Sequence, residues 1–151
     1  MFFPSIAMDL HLHESYFVVA HFHYVLVGGT VFGFYAAIYY WWPKMTGRMM
    51  DERLGVIHFL TGFISYNALF WPMHRLGVWG MARRHHTYFI TTDDFTNLPE
   101  WAADWNLFIS VSAFLFFFSN FIMVANMLIS LVRGEKAPAD PWGGWSFEWM
   151  T

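Results

Sequence analysis

The sequence predicts an all-α membrane protein with three transmembrane helices. Of its 151 residues, 57% are hydrophobic and only 13% are charged, against roughly 25% charged in an ordinary soluble domain. Three long apolar stretches each reach or exceed the ~20 residues that cross a bilayer at about 1.5 Å per residue. Charge gathers in the segments between them.

The first stretch runs from about Tyr16 to Trp42, spanning 16–42, and Asp9, His11, His13 and Glu14 lie just ahead of it. Pro43-Lys44-Met45-Thr46-Gly47-Arg48, followed by Asp51-Glu52-Arg53, reads as a short polar turn. Pro43 is expected to stop the first helix, and Asp51 or Glu52 to favour the start of the second at the positive end of its dipole. The second stretch, about Leu54 to Met73 (54–73), holds His58, Tyr66 and Asn67. Its His and Asn are expected to face protein, because polar groups exposed to lipid are costly. An outer loop over 74–104 carries Gly77, Gly80, Pro99 and clustered charge. The third stretch is about Trp105 to Val132 (105–132), and an extended inner tail, 133–151, ends in Trp142, Trp145 and Trp149. Trp41, Trp42, Trp71 and Trp105 fall near span ends, where aromatic belts are expected.

Composition also excludes chemistry. With no cysteine, disulfides, thiolate metal sites and cysteine nucleophiles are absent from this chain. A net charge of -3 and the lack of a Lys/Arg run argue against nucleic acid. The opening Met1-Phe2-Phe3-Pro4 lacks the basic region of a secretory signal peptide. Lys44, Arg48, Arg53, Arg133 and Lys136 share one side, and Arg75, Arg83 and Arg84 the other, offset by Asp93, Asp94, Glu100 and Asp104. The positive-inside rule then places the N-terminus outside and the C-terminus inside. The adjacent arginines on the outer side need an anionic partner.

Two imidazoles, His21 and His23, sit inside the apolar run Val18-Val19-Ala20-His21-Phe22-His23-Tyr24-Val25-Leu26. At about 100° per residue they point roughly 200° apart, so they cannot share one mononuclear site on an unbroken helix. They can address two separate planar cofactors, with Phe22 between their directions. A neutral imidazole is a good ligand for haem iron, and its second nitrogen can donate a hydrogen bond. Hydrogen bonding to neighbouring helices and a proton relay are the other readings of this spacing. On the outer rim, His13 and Glu14 supply nitrogen and oxygen ligands suited to Mg²⁺ or Mn²⁺, though two are too few for a complete site. Helix capping and interfacial solvation are the plainer roles for Asp9 and Glu14. Arg83 and Arg84 suit carboxylates or phosphates, including lipid headgroups. His85-His86 reads as an ordinary surface pair, and His58 and His74 as structural residues.

The run from His13-Glu14-Ser15-Tyr16 through His21-Phe22-His23-Tyr24-Val25-Leu26 closely resembles subunit I of haem-copper oxygen reductases of the cytochrome c oxidase type. The similarity continues through Tyr40-Trp41-Trp42-Pro43-Lys44-Met45-Thr46-Gly47-Arg48 and Gly80-Met81-Ala82-Arg83-Arg84. It covers almost the whole chain and corresponds to the last three helices of a twelve-helix bundle, implying a separately encoded C-terminal piece or a truncated relative. By position, the resemblance implies that His21 is the proximal ligand of the high-spin haem that binds oxygen. It makes His23 one axial ligand of the low-spin haem and Phe22 the inter-haem aromatic. Arg83 and Arg84 become propionate partners, Asp9 and His13 neighbours of the high-spin propionates, and His13 with Glu14 a non-redox magnesium site. Two departures stand out: Glu14-Ser15 replaces the familiar Asp-Thr, and Ala82 replaces the usual Pro before the arginines.

The resemblance implies part of the catalytic core of a terminal respiratory oxidase that reduces oxygen to water with coupled proton translocation, using haems of the A type. Copper B, the cross-linked tyrosine and the second low-spin ligand have no counterpart here. They fall to the larger N-terminal part of subunit I. Further partners are oxidase subunits II and III, cytochrome c or another electron donor, and lipid. The implied location is the plasma membrane of a bacterium or archaeon, or the mitochondrial inner membrane. A haem-free assembly subunit, a quinol-fed oxidase and a nitric oxide reductase remain as alternatives.

Overall fold

A computed structural model of the chain describes residues 3–84, 101–144 and 146–149, and of Trp101 the backbone only. The described residues form helices α1 (Ile6–Leu12), α2 (Tyr16–Leu26), α3 (Phe32–Thr46), α4 (Glu52–Val78) and α5 (Trp101–Arg133). A single π turn, Val27–Val31, joins α2 to α3 without breaking the rod, and a short 3₁₀ turn, Phe147–Trp149, lies in the tail. Three helices are long and apolar enough to cross a membrane: Tyr16–Thr46, Glu52–Val78 and Ala102–Arg133. Even the shortest, at 27 residues, measures ~40 Å against a hydrocarbon core of ~30 Å.

Local chemistry sets the helix starts. The Ser15 hydroxyl accepts from Phe17 N–H at 3.2 Å, and the Asp51 carboxylate accepts from Leu54 N–H at 2.9 Å. Each satisfies a donor that the first turn leaves without a partner. The ends depart from expectation. Pro43 does not stop the first span; α3 runs on to Thr46 and ends at Gly47, whose φ of 70° closes a Gly47 N–H to Pro43 C=O bond of 2.8 Å. A proline in the last turn forfeits only one backbone bond, whereas a left-handed residue ends the helix outright. Likewise α4 passes through Pro72 and continues to Val78, so 74–78 is helix and not loop. Packing holds it together beyond the proline, since Met73, Leu76 and Gly77 are all buried. At the far side of the loop, helix begins at Trp101.

Helix α4 packs along α5 on one side and against α2 on the other. Its core residues Tyr66, Leu69, Phe70, Met73 and Leu76 meet Ala20 of α2 and Ala102 and Ile109 of α5. In lipid the hydrophobic effect does little to bring helices together, so close contact and interhelical hydrogen bonds carry the association. Gly77 gives the closest approach: a Cβ there would lie 2.0 Å from the Phe17 backbone nitrogen. Gly77→Ala is therefore expected to destabilise the α2–α4 pair by about 1–3 kcal/mol or more, as overpacking of a tight contact does. Thermal melting of the assembled complex in mild detergent measures this, and an unchanged midpoint would contradict it.

At the opposite end of the bundle, α5 is tied to the 47–51 turn. Buried Asn126 accepts from Asp51 N–H at 2.9 Å and donates to Asp51 C=O at 2.8 Å. Ser130 accepts from the Trp42 indole at 2.9 Å and donates to Met49 C=O at 2.8 Å. Arg48 reaches Gly134 C=O at 2.8 Å. The tail folds back over α3: the Trp142 indole donates to Tyr40 C=O at 3.1 Å, and the Trp149 indole to the Tyr40 hydroxyl at 2.7 Å. Trp41 and Lys44 both bond Glu148. Asn126→Leu keeps the volume but strands two backbone groups of Asp51, for an expected loss of about 1–2 kcal/mol. Denaturation of the purified complex checks it; wild-type stability would show that the turn finds other partners.

Candidate functional site

The histidine pair lies in the regular α-helical part of the first span, one turn before the π segment. His21 is exposed and meets the edge of Phe3 at 4.9 Å between ring centroids. His23 is half-buried; its ring stacks on Phe70 of α4 at 4.5 Å and touches Phe22 at 4.3 Å. Its Nδ1 lies 2.7 Å from Val19 C=O. A carbonyl can only accept, so Nδ1 holds a proton, and in the neutral ring the lone pair is on Nε2. This is the tautomer a metal-binding imidazole needs. Phe22, Val25 and Leu26 leave a broad apolar strip of α2 open.

Polar side chains that sequence placed against protein do lie there. The Tyr24 hydroxyl donates to Asn67 at 2.8 Å, and His58 is 3% exposed, with the Tyr39 hydroxyl 3.3 Å from its Nδ1. His74, expected in a loop, stands on α4 between Phe17 at 4.9 Å and Tyr24 at 5.4 Å. Ending the second span at Met73 hid this placement. The Phe70 platform was also missed. Its only signal was four residues of spacing from Tyr66 and His74, which marks one helix face.

At the α1 end of the bundle, a two-residue antiparallel bridge pairs Ser15 with Ala82. Tyr16 N–H donates to Met81 C=O, and Arg83 N–H to Glu14 C=O, both at 2.9 Å. The Arg83 guanidinium then grips the Glu14 carboxylate through Nε–Oε2 at 3.3 Å and Nη2–Oε1 at 3.2 Å. That hydrogen bond, aided by the charges of Arg83, Arg84 and His13, holds the Glu14 carboxyl below the usual carboxylate range. Arg84 is exposed, with a left-handed backbone at φ 68°. Asp9 is half-buried, and its carbonyl accepts from both His13 N–H at 2.9 Å and His13 Nδ1 at 2.8 Å. His13 and Glu14 are adjacent, yet no group of three His, Cys, Asp or Glu side chains suited to a metal occurs among the described residues. His85 and His86 lie outside the described residues.

Comparison with known proteins gives the family of a chain whose apolar helices carry paired imidazoles and a cationic rim at one end. The description "Cytochrome C and Quinol oxidase polypeptide I" matches residues 1–115. Cytochrome c oxidase subunit 1 of Thermostichus vulcanus is 46% identical over 95% of this chain and 24% of its own length. The same subunit of Bacillus sp. (strain PS3) is 45% identical over 96% of the chain and 22% of its own. The heme-copper oxidase subunit I+III of Aeropyrum pernix is 42% identical over the full chain and 17% of its own. The chain belongs to the cytochrome c and quinol oxidase polypeptide I family, and spans about a quarter of the length of the first two relatives.

Proposed function

We propose that this chain forms part of the catalytic core of a terminal respiratory oxidase that reduces oxygen to water and couples the reaction to proton translocation. In this reading His21 holds the iron of a high-spin haem and His23 that of a low-spin haem, both of the A type. Such haems supply electron storage and an oxygen-binding metal. The observation that carries the proposal is the helical His21-Phe22-His23 segment, with the His23 proton fixed on Nδ1 by Val19.

The chain's own residues perform definable tasks. The Val19 carbonyl fixes the His23 tautomer and adds basicity to Nε2. Contacts with Phe70 and Phe22 set the plane of that ring. The regular helix between the two histidines fixes their relative direction to roughly 200°. Phe22, 43% exposed, fills the space between those directions and excludes water there. The arginine pair brings positive charge to an end of the bundle where anionic propionates need it, offsetting their desolvation. His13 Nε2 and the Glu14 carboxylate could hold magnesium only with ligands from water or another chain, because Glu14 already serves Arg83.

Copper B and the second low-spin ligand belong to a larger part of subunit I in this reading, alongside subunits II and III and an electron donor, cytochrome c or quinol. The positive-inside count supports an outer α1 end and an inner tail in a respiratory membrane. Mild-detergent purification of this chain, with partner identification and a haem spectrum on the same sample, tests the proposal. Recovery of a larger histidine-rich membrane chain together with haem bands is expected. Reproducible absence of both would reject it.

A further inference from the structure

The π turn Val27–Val31 puts one extra residue into the first span, and a buried phenol stands over it. The turn begins four residues after His23. Were the extra residue to move one turn toward the N-terminus, each residue it passed would rotate by about 100° around the helix axis. His23 would then leave Phe70, on which its ring stacks at 4.5 Å. Tyr66 of α4, 4% exposed, straddles the turn. Its hydroxyl donates to Tyr24 C=O at 3.3 Å on one side, and its ring meets the edge of Phe32 at 5.3 Å on the other. Tyr24 is held a second time, because its own hydroxyl donates to Asn67 Oδ1 at 2.8 Å. Asn67 Nδ2 donates in turn to Phe63 C=O at 2.8 Å, which turns the amide oxygen toward Tyr24. The first bond to Tyr24 is long and the second is not, and both fall on the residue that separates His23 from the π turn side of the helix.

Two further features point to use of the hydroxyl. Tyr66 sits among the rings of Tyr24, Phe32, Phe70 and Phe116, where a phenylalanine would pack without burying a polar atom. Opposite it stands Gly28. A Cβ there would lie 3.2 Å from the Tyr66 oxygen, tighter than ordinary contact, so the glycine leaves room for the hydroxyl. We infer that Tyr66, seated against Gly28, is a positioning residue that keeps the π turn on the far side of Tyr24 and so holds His23 in the plane set by Phe70; the inference rests on the haem reading above. Tyr66 and Phe70 stand one turn apart on α4 and touch at 5.4 Å. One face of α4 therefore holds both the ring of His23 and the backbone beside it. Tyr66 acts on the iron through the register of α2, with no contact of its own to the metal.

Electron paramagnetic resonance and optical spectra of the low-spin haem in the intact oxidase test the inference, using wild type, Tyr66→Phe, Gly28→Ala and the Gly28→Ala/Tyr66→Phe double variant. Tyr66→Phe keeps the ring and should keep the haem content, with the low-spin signal shifted and broadened as the His23 plane loses its fixed direction. Gly28→Ala pushes the hydroxyl off Tyr24 C=O and should shift the signal in the same direction. In the double variant the added methyl meets no hydroxyl. Its shift should match that of Tyr66→Phe alone and fall short of the sum of the two. An unshifted low-spin signal in either single variant, even with a lower melting temperature, would overturn the inference and leave the hydroxyl a stability element only. Additive shifts in the double variant would overturn it too, as would failure of both single variants to assemble. Should one single variant fail to assemble, the other and the double variant carry the test. A wild-type complex without haem bands would overturn the haem reading, and this inference with it.

Discussion

His21→Ala in the assembled oxidase is expected to reduce oxygen consumption to the assay background and to remove the carbon monoxide-sensitive haem band, with the low-spin band kept. The expectation follows from the proposed role of the imidazole as an iron ligand. His21 is exposed on α2, and Phe3 is the ring that meets its edge. Alanine at this position costs the helix nothing, since alanine is its best former. The fold should survive while the iron loses its protein ligand. Reduced-minus-oxidised and carbon monoxide difference spectra on one preparation separate ligand loss from collapse of the complex. Retention of a normal carbon monoxide band in His21→Ala would remove His21 from the metal.

His23→Ala is expected to act differently. Its ring stacks on Phe70 and its Nδ1 bonds Val19 C=O, so truncation removes an α2–α4 contact as well as the proposed ligand. The low-spin band should disappear and electron entry should fail, although carbon monoxide still binds the other haem. His23→Met probes ligation apart from packing. Methionine can serve as an axial ligand and raises the potential of a haem it binds. A low-spin band that returns at higher potential in His23→Met would fit ligation. An unaltered low-spin spectrum in His23→Ala would contradict it.

Sequence carried the spans well because membrane crossing is a length requirement. A run of about 20 apolar residues rarely occurs outside a membrane-spanning helix. It carried the ends poorly. Pro43 read as a stop under a local rule, and the second span was ended at Met73, but burial of Trp42 and Pro43 in α3, and of Met73, Leu76 and Gly77 in α4, outweighs one missing backbone bond at each proline. The π turn at Val27–Val31 left a faint trace in Gly28-Gly29, which a hydropathy pattern does not register.

The site divides the same way. His21 and His23 stand out locally, because polar rings in an apolar helix are costly unless used. The Glu14–Arg83 pair does not, since the two residues are 69 apart in sequence and meet only when α4 returns alongside α2. Adjacency of Arg83 and Arg84 suggested a shared role. Their backbones differ, that of Arg83 paired with Glu14 and that of Arg84 left-handed. The interhelical latch at Asn126 was equally hidden, because its partners are backbone groups of the Asp51 turn.

The central claim is that one helix serves two irons. Haem counted against copies of this chain in the purified oxidase, by pyridine haemochrome and quantitative protein analysis, tests it most directly. Two haems per copy are expected, one of them reactive toward carbon monoxide. A complex that turns over with fewer than two haems per copy would contradict it.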